Sequence, residues 1–122
     1  MRKLNKRNDP LGRKTLDFAI RIVNLAKYLN EEKKEYVISK QVLRSGTNPG
    51  AMVREASQAE SGKDFIHKLS IAQKEICETQ YWLELLEATN YLSNKEFESL
   101  SENSIEILKL LTSSIKTKKR NL

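Results

Sequence analysis

The residues of this chain that could do chemistry are few, and their spacing along the sequence does not build a catalytic or metal site. His67 is the only histidine. Asp64 precedes it by three residues, which is the carboxylate-to-histidine spacing of the ligand pairs in di-metal helical bundles. Such a site needs a second pair and further carboxylates, which one histidine cannot supply. Cys77, the only cysteine, lies ten residues from His67, too far along a helix for that imidazole to activate the thiol. We therefore expect no catalytic residue, no metal ion and no other cofactor.

Carboxylates are more numerous, but their positions indicate a solvated surface. Glu75, Glu78, Glu84 and Glu87 follow one another at multiples of three residues. Paired carboxylates can act as acid and base, but these four alternate with apolar positions, as the flank of a helix does. No phosphate-binding loop, nucleophile elbow or zinc-ligand spacing occurs. The sequence predicts a protein that is not an enzyme, with Cys77 buried as a small apolar side chain.

Four segments with helical periodicity must position these side chains. In the first, about residues 14–30, Phe18, Ile22, Leu25 and Leu29 form one apolar row. Leu16, Ala19, Val23 and Ala26 form a second row, so the apolar arc covers roughly 180–200° where a surface helix needs about 100°. We expect this helix to face both its own core and a partner.

The second segment, about residues 34–60, contains Pro49 between two glycines. Proline cannot donate to the carbonyl four residues back, so the helix should kink or break there. If the helix breaks, Asn48 would cap a new helix that has Pro49 at its first position. Gly46 and Gly50 lie one turn apart, and they fit either close packing of a neighbouring helix or a groove for a ligand.

The third and fourth segments carry capping signals and long apolar rows. Ser61 with Asp64, and Ser93 with Glu96, have the spacing of a capping box. Leu69, Ile76 and Leu83 belong to a row at alternating steps of four and three, the seam of bundle packing. The complete rows are Phe65, Leu69, Ala72, Ile76, Thr79, Leu83 and Leu86, then Phe97, Leu100, Ser104, Ile107, Leu108, Leu111 and Ile115. The sequence predicts an all-α, antiparallel up-down-up-down four-helix bundle, with helix 2 kinked near Pro49.

Charge is concentrated at the two ends of the chain. The net charge is +6, of which residues 1–14 contribute +5 and residues 116–122 contribute +4, leaving the body at −3. We predict a flexible basic N-terminal arm over 1–13, the bundle over 14–116 and a fraying basic tail over 117–122. Basic tails either contact polyanions or serve solubility. No apolar run is long enough to span a membrane, and one unpaired cysteine suits the cytoplasm.

Residues 44–92 resemble the four-helix-bundle family named after proteins encoded in 23S rRNA intervening sequences. The resemblance rests on Arg44-Ser45-Gly46-Thr47, Gly50-Ala51, Arg54-Glu55-Ala56, Ser61, Lys63-Asp64-Phe65-Ile66-His67-Lys68-Leu69, Ile71-Ala72, Glu78-Thr79 and Tyr81-Trp82-Leu83. With the apolar rows on either side it covers roughly 15–115. It implies an antiparallel bundle that assembles as a homopentamer, and relatives that bind nucleic acid as accessory proteins of reverse transcriptases.

Two groups of candidate site residues follow. For RNA or DNA binding they are Arg44, Arg54, Lys63 and Lys68, helped by the basic ends. For the oligomer interface they are Phe18, Ile22, Leu25, Tyr81 and Trp82. Tyr81 and Trp82 point about 100° apart and cannot both face one core, so one of them should lie at an interface or stack on a base, and the wide apolar arc of the first helix favours the interface. We expect a cytoplasmic, oligomeric, nucleic-acid-binding accessory protein. The alternative is a scaffold that binds a protein partner, such as a reverse transcriptase, and uses its charge only for solubility.

Overall fold

The computed structural model describes residues 9–122, which form four helices and no strand. The helices are α1 (Pro10–Glu31), α2 (Ile38–Ala56), α3 (Gly62–Ala88) and α4 (Asn94–Arg120). The prediction of an all-α four-helix bundle is confirmed. No helix among the described residues is both long enough and apolar enough to cross a bilayer. Most of the predicted N-terminal arm lies outside the described residues.

Side-chain caps decide where the helices begin. The Asp9 carboxylate accepts a hydrogen bond from the Gly12 amide at 3.0 Å, and Pro10 occupies the first helical position. For this reason α1 begins four residues before the predicted start. Ser61 and Ser93 accept from the amides of Asp64 and Glu96, both at 3.1 Å, as the sequence predicts.

A glutamate provides the cap for α2. The buried Glu35 carboxylate accepts from the backbone amides of Val37, Ile38 and Ser39 at 3.2, 2.9 and 2.8 Å. These are the donors that a helix N-terminus leaves without a partner inside the helix. The negative charge also lies at the positive end of the helix dipole, which stabilises this start further.

Helix α2 continues through Pro49 as one helix, so the predicted break with a new cap at Asn48 is wrong. Pro49 is buried, and packing of the helix on both sides maintains the helical path that proline alone would interrupt. Gly46 permits this packing, because a Cβ atom there would lie 2.8 Å from the Ile22 side chain. Close packing of α1 is therefore the role of Gly46, and the kink near Pro49 stays a prediction.

Helix α4 extends through Arg120, past the predicted end of the bundle at residue 116. Its last turn contains Lys118, Lys119 and Arg120. Cations at a helix C-terminus interact favourably with the negative end of the helix dipole, which offsets the lack of an apolar repeat there. The basic C-terminal residues are thus part of a helix.

The core consists of one apolar row from each helix. Leu83, Ile76, Ile22 and Leu111 are fully buried, and Phe65 is only partly buried at the end of its row. One polar pair lies inside, where the Thr79 hydroxyl donates to the Ser45 hydroxyl at 2.9 Å. No buried side-chain polar atom among the described residues lacks a hydrogen-bond partner. The predicted seam of α3 is confirmed.

Contacts between helices show how the four are arranged. Each helix packs against its neighbour in sequence, and α1 packs against α4. Arg44 of α2 contacts Glu75 of α3, whereas Glu55 further along α2 contacts Lys68 earlier in α3. The helices α2 and α3 are therefore antiparallel. The connections between consecutive helices are short, as in a bundle whose sequence neighbours are antiparallel.

Candidate functional site: a basic end and an exposed apolar face

Arg44, a predicted nucleic-acid contact, is held by two carboxylates of α3. Its guanidinium donates to Glu75 at 3.0 Å and to Glu78 at 2.5 Å. The Glu78 carboxylate also accepts from the indole N–H of Trp82 at 2.9 Å. The hydrogen bonds that Arg44 donates to Glu78 and then to Glu75 raise the pKa of Arg44, and the two carboxylates balance its charge locally. Arg44 is therefore a poorer phosphate contact than the sequence suggests.

The Glu78 carboxylate gives this network a defined response to pH. Hydrogen bonds from Arg44 and then Trp82 hold the pKa of Glu78 below its ordinary value. A carboxylate with a depressed folded-state pKa contributes stability above its unfolded pKa, and loses it as the pH falls through the folded value. Acidification from about pH 6 to about pH 3 should therefore destabilise the wild type more than Glu78→Gln.

Urea denaturation at each pH measures this difference. Glu84→Gln is the matched control, because Glu84 is an exposed glutamate of the same helix without a hydrogen bond to another described residue. The control should keep the acid sensitivity of the wild type. Equal acid sensitivity of Glu78→Gln and the wild type would show that the network does not contribute to stability.

The other predicted basic contacts do not converge with Arg44. Lys68 donates to Glu55 at 3.0 Å, which raises the pKa of Lys68. Arg54 and Lys63 are exposed and form no ion pair within residues 9–122. Arg54 lies near the end of α2 and Lys63 at the start of α3, so both belong to one end of the bundle. The structure brings these two residues to the same end and leaves Arg44 away from it.

Gln73 and Gln80 of α3 donate to Thr112 and Ser104 of α4, and Lys14 and Arg21 of α1 contact Glu106 and Asn103 of α4, so both of these pairs are also antiparallel. The helices α1 and α3 therefore begin where α2 and α4 end, and this end, called here the basic end, concentrates positive charge. Residues 9–20, 50–70 and 106–122 contain ten basic and six acidic residues. The other half of the described chain, 21–49 and 71–105, contains eight basic and ten acidic residues. The first eight residues, with four basic and no acidic side chains, join this same end at Asp9. The bundle is thus electrically polar from end to end.

The prediction that Phe18, Ile22 and Leu25 of α1 form the oligomer interface is wrong, because all three side chains are buried. Phe18, Ile22 and Leu25 are 1%, 0% and 6% exposed, because they form the chain's own core. A partner subunit cannot contact side chains that the monomer already buries. The apolar residues of α1 that remain accessible are Leu16, Ile20 and Val23, at 44%, 52% and 36% exposure. The sequence contained this signal, since Leu16 and Val23 belong to the second apolar row.

These three residues are called here the α1 apolar face. The exposed apolar surface extends from this face across a groove to α2. The groove has a volume of about 350 Å³ and is lined by Leu16, Ala19, Thr47, Ala51 and Arg54 among others. Leu43 of α2 is also exposed, at 37%. Exposed apolar surface of this kind on two adjacent helices is typical of an interaction site.

Tyr81 and Trp82 diverge as predicted. Tyr81 is 57% exposed, whereas Trp82 is partly buried against the core, and the two rings meet edge to face with centroids 5.1 Å apart. Cys77 is exposed, so the prediction that it is buried is wrong. It follows the core residue Ile76 directly, and one residue along a helix turns the side chain by about 100° out of the core.

A cleft between α1 and α4 is a feature that the sequence did not indicate. Its volume is about 520 Å³, and its lining includes Arg21, Tyr28, Tyr91 and Glu96. The Arg21 guanidinium also donates to the Asn103 side chain of α4 at 2.6 Å. These residues come from distant parts of the chain, and only the packing of α1 against α4 brings them together. No group of three potential metal ligands occurs among residues 9–122.

Fold and surface together define a four-helix bundle with a basic end and an exposed apolar face. Residues 11–113 match the family model of the 23S rRNA-intervening sequence proteins. The chain belongs to this family. It is also similar to a protein of unknown function of the S23 ribosomal protein family from Bacteroides thetaiotaomicron VPI-5482, whose crystal structure is known. The two share 57% identity over 87% of this chain and 98% of that one, with a TM-score of 0.86. No curated protein matches this chain.

Proposed function

We propose that this protein is a non-enzymatic, cytoplasmic accessory protein that binds RNA or DNA as a ring-shaped homo-oligomer, with five subunits as the resemblance implies. The observation that carries the proposal is the concentration of positive charge at the basic end. Polyanions are attracted to such a surface without any need for a base-reading motif. Closed oligomerisation through the α1 apolar face places several copies of the basic end in one particle, so that weak phosphate contacts act together.

The structure changes which residues the proposal assigns to binding. Lys63 and Arg54 are retained, because both are exposed at the basic end. Arg44 and Lys68 contribute less, because carboxylates already balance their charge. The lysines and arginine at the end of α4 join the candidates. A protein partner such as a reverse transcriptase belongs to the alternative proposal, in which the bundle is a scaffold.

A salt series with fluorescently labelled RNA and DNA tests this function. Affinity for the intact protein should fall steeply as salt rises, since each phosphate that is neutralised releases bound counterions. Removal of residues 1–8 leaves the Asp9 cap and all four helices intact, and should weaken binding without abolishing it. Adding Arg54→Gln and Lys63→Gln to the shortened chain should weaken binding further.

The control replaces two cations in the opposite half, Lys27→Gln and Lys40→Gln, in the same shortened chain. It has the same net charge but keeps the basic end, so its affinity should equal that of the shortened chain. Equal losses in the two double variants would show that only net charge matters and would remove the assigned site. If the intact protein binds neither RNA nor DNA at low salt, the function is a protein scaffold.

A further inference from the structure

We propose that the basic end recognises the paired phosphate backbones of a double helix, RNA or DNA, in preference to a single strand. This inference rests on the proposed function and adds the class of nucleic acid. It follows from the shape of the basic end, the positions of its cations and the location of the aromatic side chains. The contacts would be made mainly by the last turns of α4.

Helix α4 projects beyond its neighbour α1. Lys14 of α1 binds Glu106 of α4 at 3.0 Å, which aligns the two helices at that level. From there α1 extends only four residues further, to Pro10, whereas α4 continues fourteen residues to Arg120. The Arg21–Asn103 contact gives a difference of six residues and the Lys14–Glu106 contact one of ten, so α4 extends roughly 9–15 Å further than α1. The end of α4 therefore projects on the side of α1, while on its other side it lies beside the start of α3, where Gly62 approaches the Leu122 side chain closely.

The cations of this projection are exposed and lie close together. Lys116, Lys119 and Arg120 are all exposed, and spacings of three and four residues place them on one side of α4. Lys109, two turns before Lys116, is exposed on the same side and extends the row. None of these four side chains forms an ion pair with another described residue. They are free to approach phosphates.

Aromatic side chains are separated from these cations. The four tyrosines and the tryptophan lie in residues 28–91 outside the basic end, and residues 1–8 contain no aromatic residue. Within the basic end Phe18 is buried, and Lys118 lies over the ring of Phe65 with its ammonium 4.9 Å from the centroid. Residues 109–120 of α4 contain no aromatic residue, and the exposed imidazole of His67 lies on the outer face of α3, two residues from the buried Leu69. No ring for base stacking therefore lies within the row of cations on α4.

This separation decides between the two forms of nucleic acid. Proteins that bind single strands combine a basic groove with aromatic platforms, and stacking contributes about 1–3 kcal/mol per base. Without stacking, binding depends on phosphate charge alone. A duplex carries one charge per roughly 1.7 Å of its axis, about twice the density of one of its strands. A projecting row of cations therefore gains more from a duplex.

The test measures fluorescence anisotropy of the full-length protein with labelled 20-base-pair duplex DNA, duplex RNA and unstructured single strands of equal length. At low salt we expect the protein to bind at least one of the duplexes about fivefold or more tightly than the single strands, because the duplex has the higher charge density. The variant Lys116→Gln/Lys119→Gln/Arg120→Gln should bind the duplex more weakly. For this variant, the slope of log affinity against log salt concentration should be smaller in magnitude by about 0.9 for each phosphate that it no longer neutralises.

A matched variant, Lys27→Gln/Lys40→Gln/Lys95→Gln, removes the same charge from the opposite half of the bundle and should retain the duplex preference. Circular dichroism checks that both variants keep their helices. Equal or tighter binding to the single strands would overturn the duplex inference while leaving nucleic-acid binding in place. Equal losses in the two triple variants would overturn the assignment to α4. Absence of binding to every probe would instead remove the proposed function itself.

Discussion

Replacing Ile20 with lysine should convert the proposed oligomer into monomers. Ile20 is 52% exposed in the isolated chain and lies between Leu16 and Val23 on the α1 apolar face. If that face is covered by another subunit, a lysine there places an unpaired ammonium inside an apolar contact, at a cost of several kcal/mol. Light scattering coupled to gel filtration should give a mass several times 14.1 kDa for the wild type and close to 14.1 kDa for the variant.

Tyr36→Lys is the control for this experiment. Tyr36 is also 52% exposed, but it lies in the connection between α1 and α2, outside the α1 apolar face. The control should keep the mass of the wild type. A monomeric wild type at micromolar concentration would remove the oligomer from the proposed function. Dissociation by Tyr36→Lys with an intact Ile20→Lys oligomer would place the interface at the other end of the bundle.

Leu83→Ala should destabilise the fold by about 2–5 kcal/mol, which is the sum of the forfeited transfer energy and the cavity left behind. Leu83 is fully buried in the α3 seam, where the surrounding side chains come from a closely packed core. Such a core relaxes only in part around a missing isobutyl group. Chemical denaturation at one fixed protein concentration measures the decrease in stability, because oligomers gain stability with concentration.

Leu85→Ala is the matched control, two residues further along the same helix. Leu85 is partly exposed and lies outside the core cluster, so its truncation removes less buried surface. The control should lose clearly less stability than Leu83→Ala. A loss within about 0.5 kcal/mol at position 83, the usual range for surface changes, would contradict the packing of α3.

Local sequence signals predicted the elements well, since the physics that sets them is local. Ser61 and Ser93 cap α3 and α4 because their hydroxyls reach an amide three residues on, whatever the rest of the chain does. The alternating steps of the α3 row placed Leu69, Ile76 and Leu83 in the core for a similar reason, as a helix repeats every 3.6 residues. The errors at the first residues of α1 and the last of α4 came from Asp9 and from the charge–dipole contribution of the basic last turn.

The sequence by itself determined the all-α bundle, the caps and the set of apolar rows, and its motifs indicated the family. Only the tertiary structure decided which row of α1 is covered, because Phe18 and Leu16 are equally apolar and differ solely in where α2 and α4 pack. It also decided that Arg44 is neutralised by Glu75 and Glu78, more than thirty residues away in sequence. The net charge of each segment follows directly from the sequence. The separation of charge into a basic end and an acidic half depends on which helix ends lie together in the fold. That arrangement is set by core packing, which no local pattern specifies.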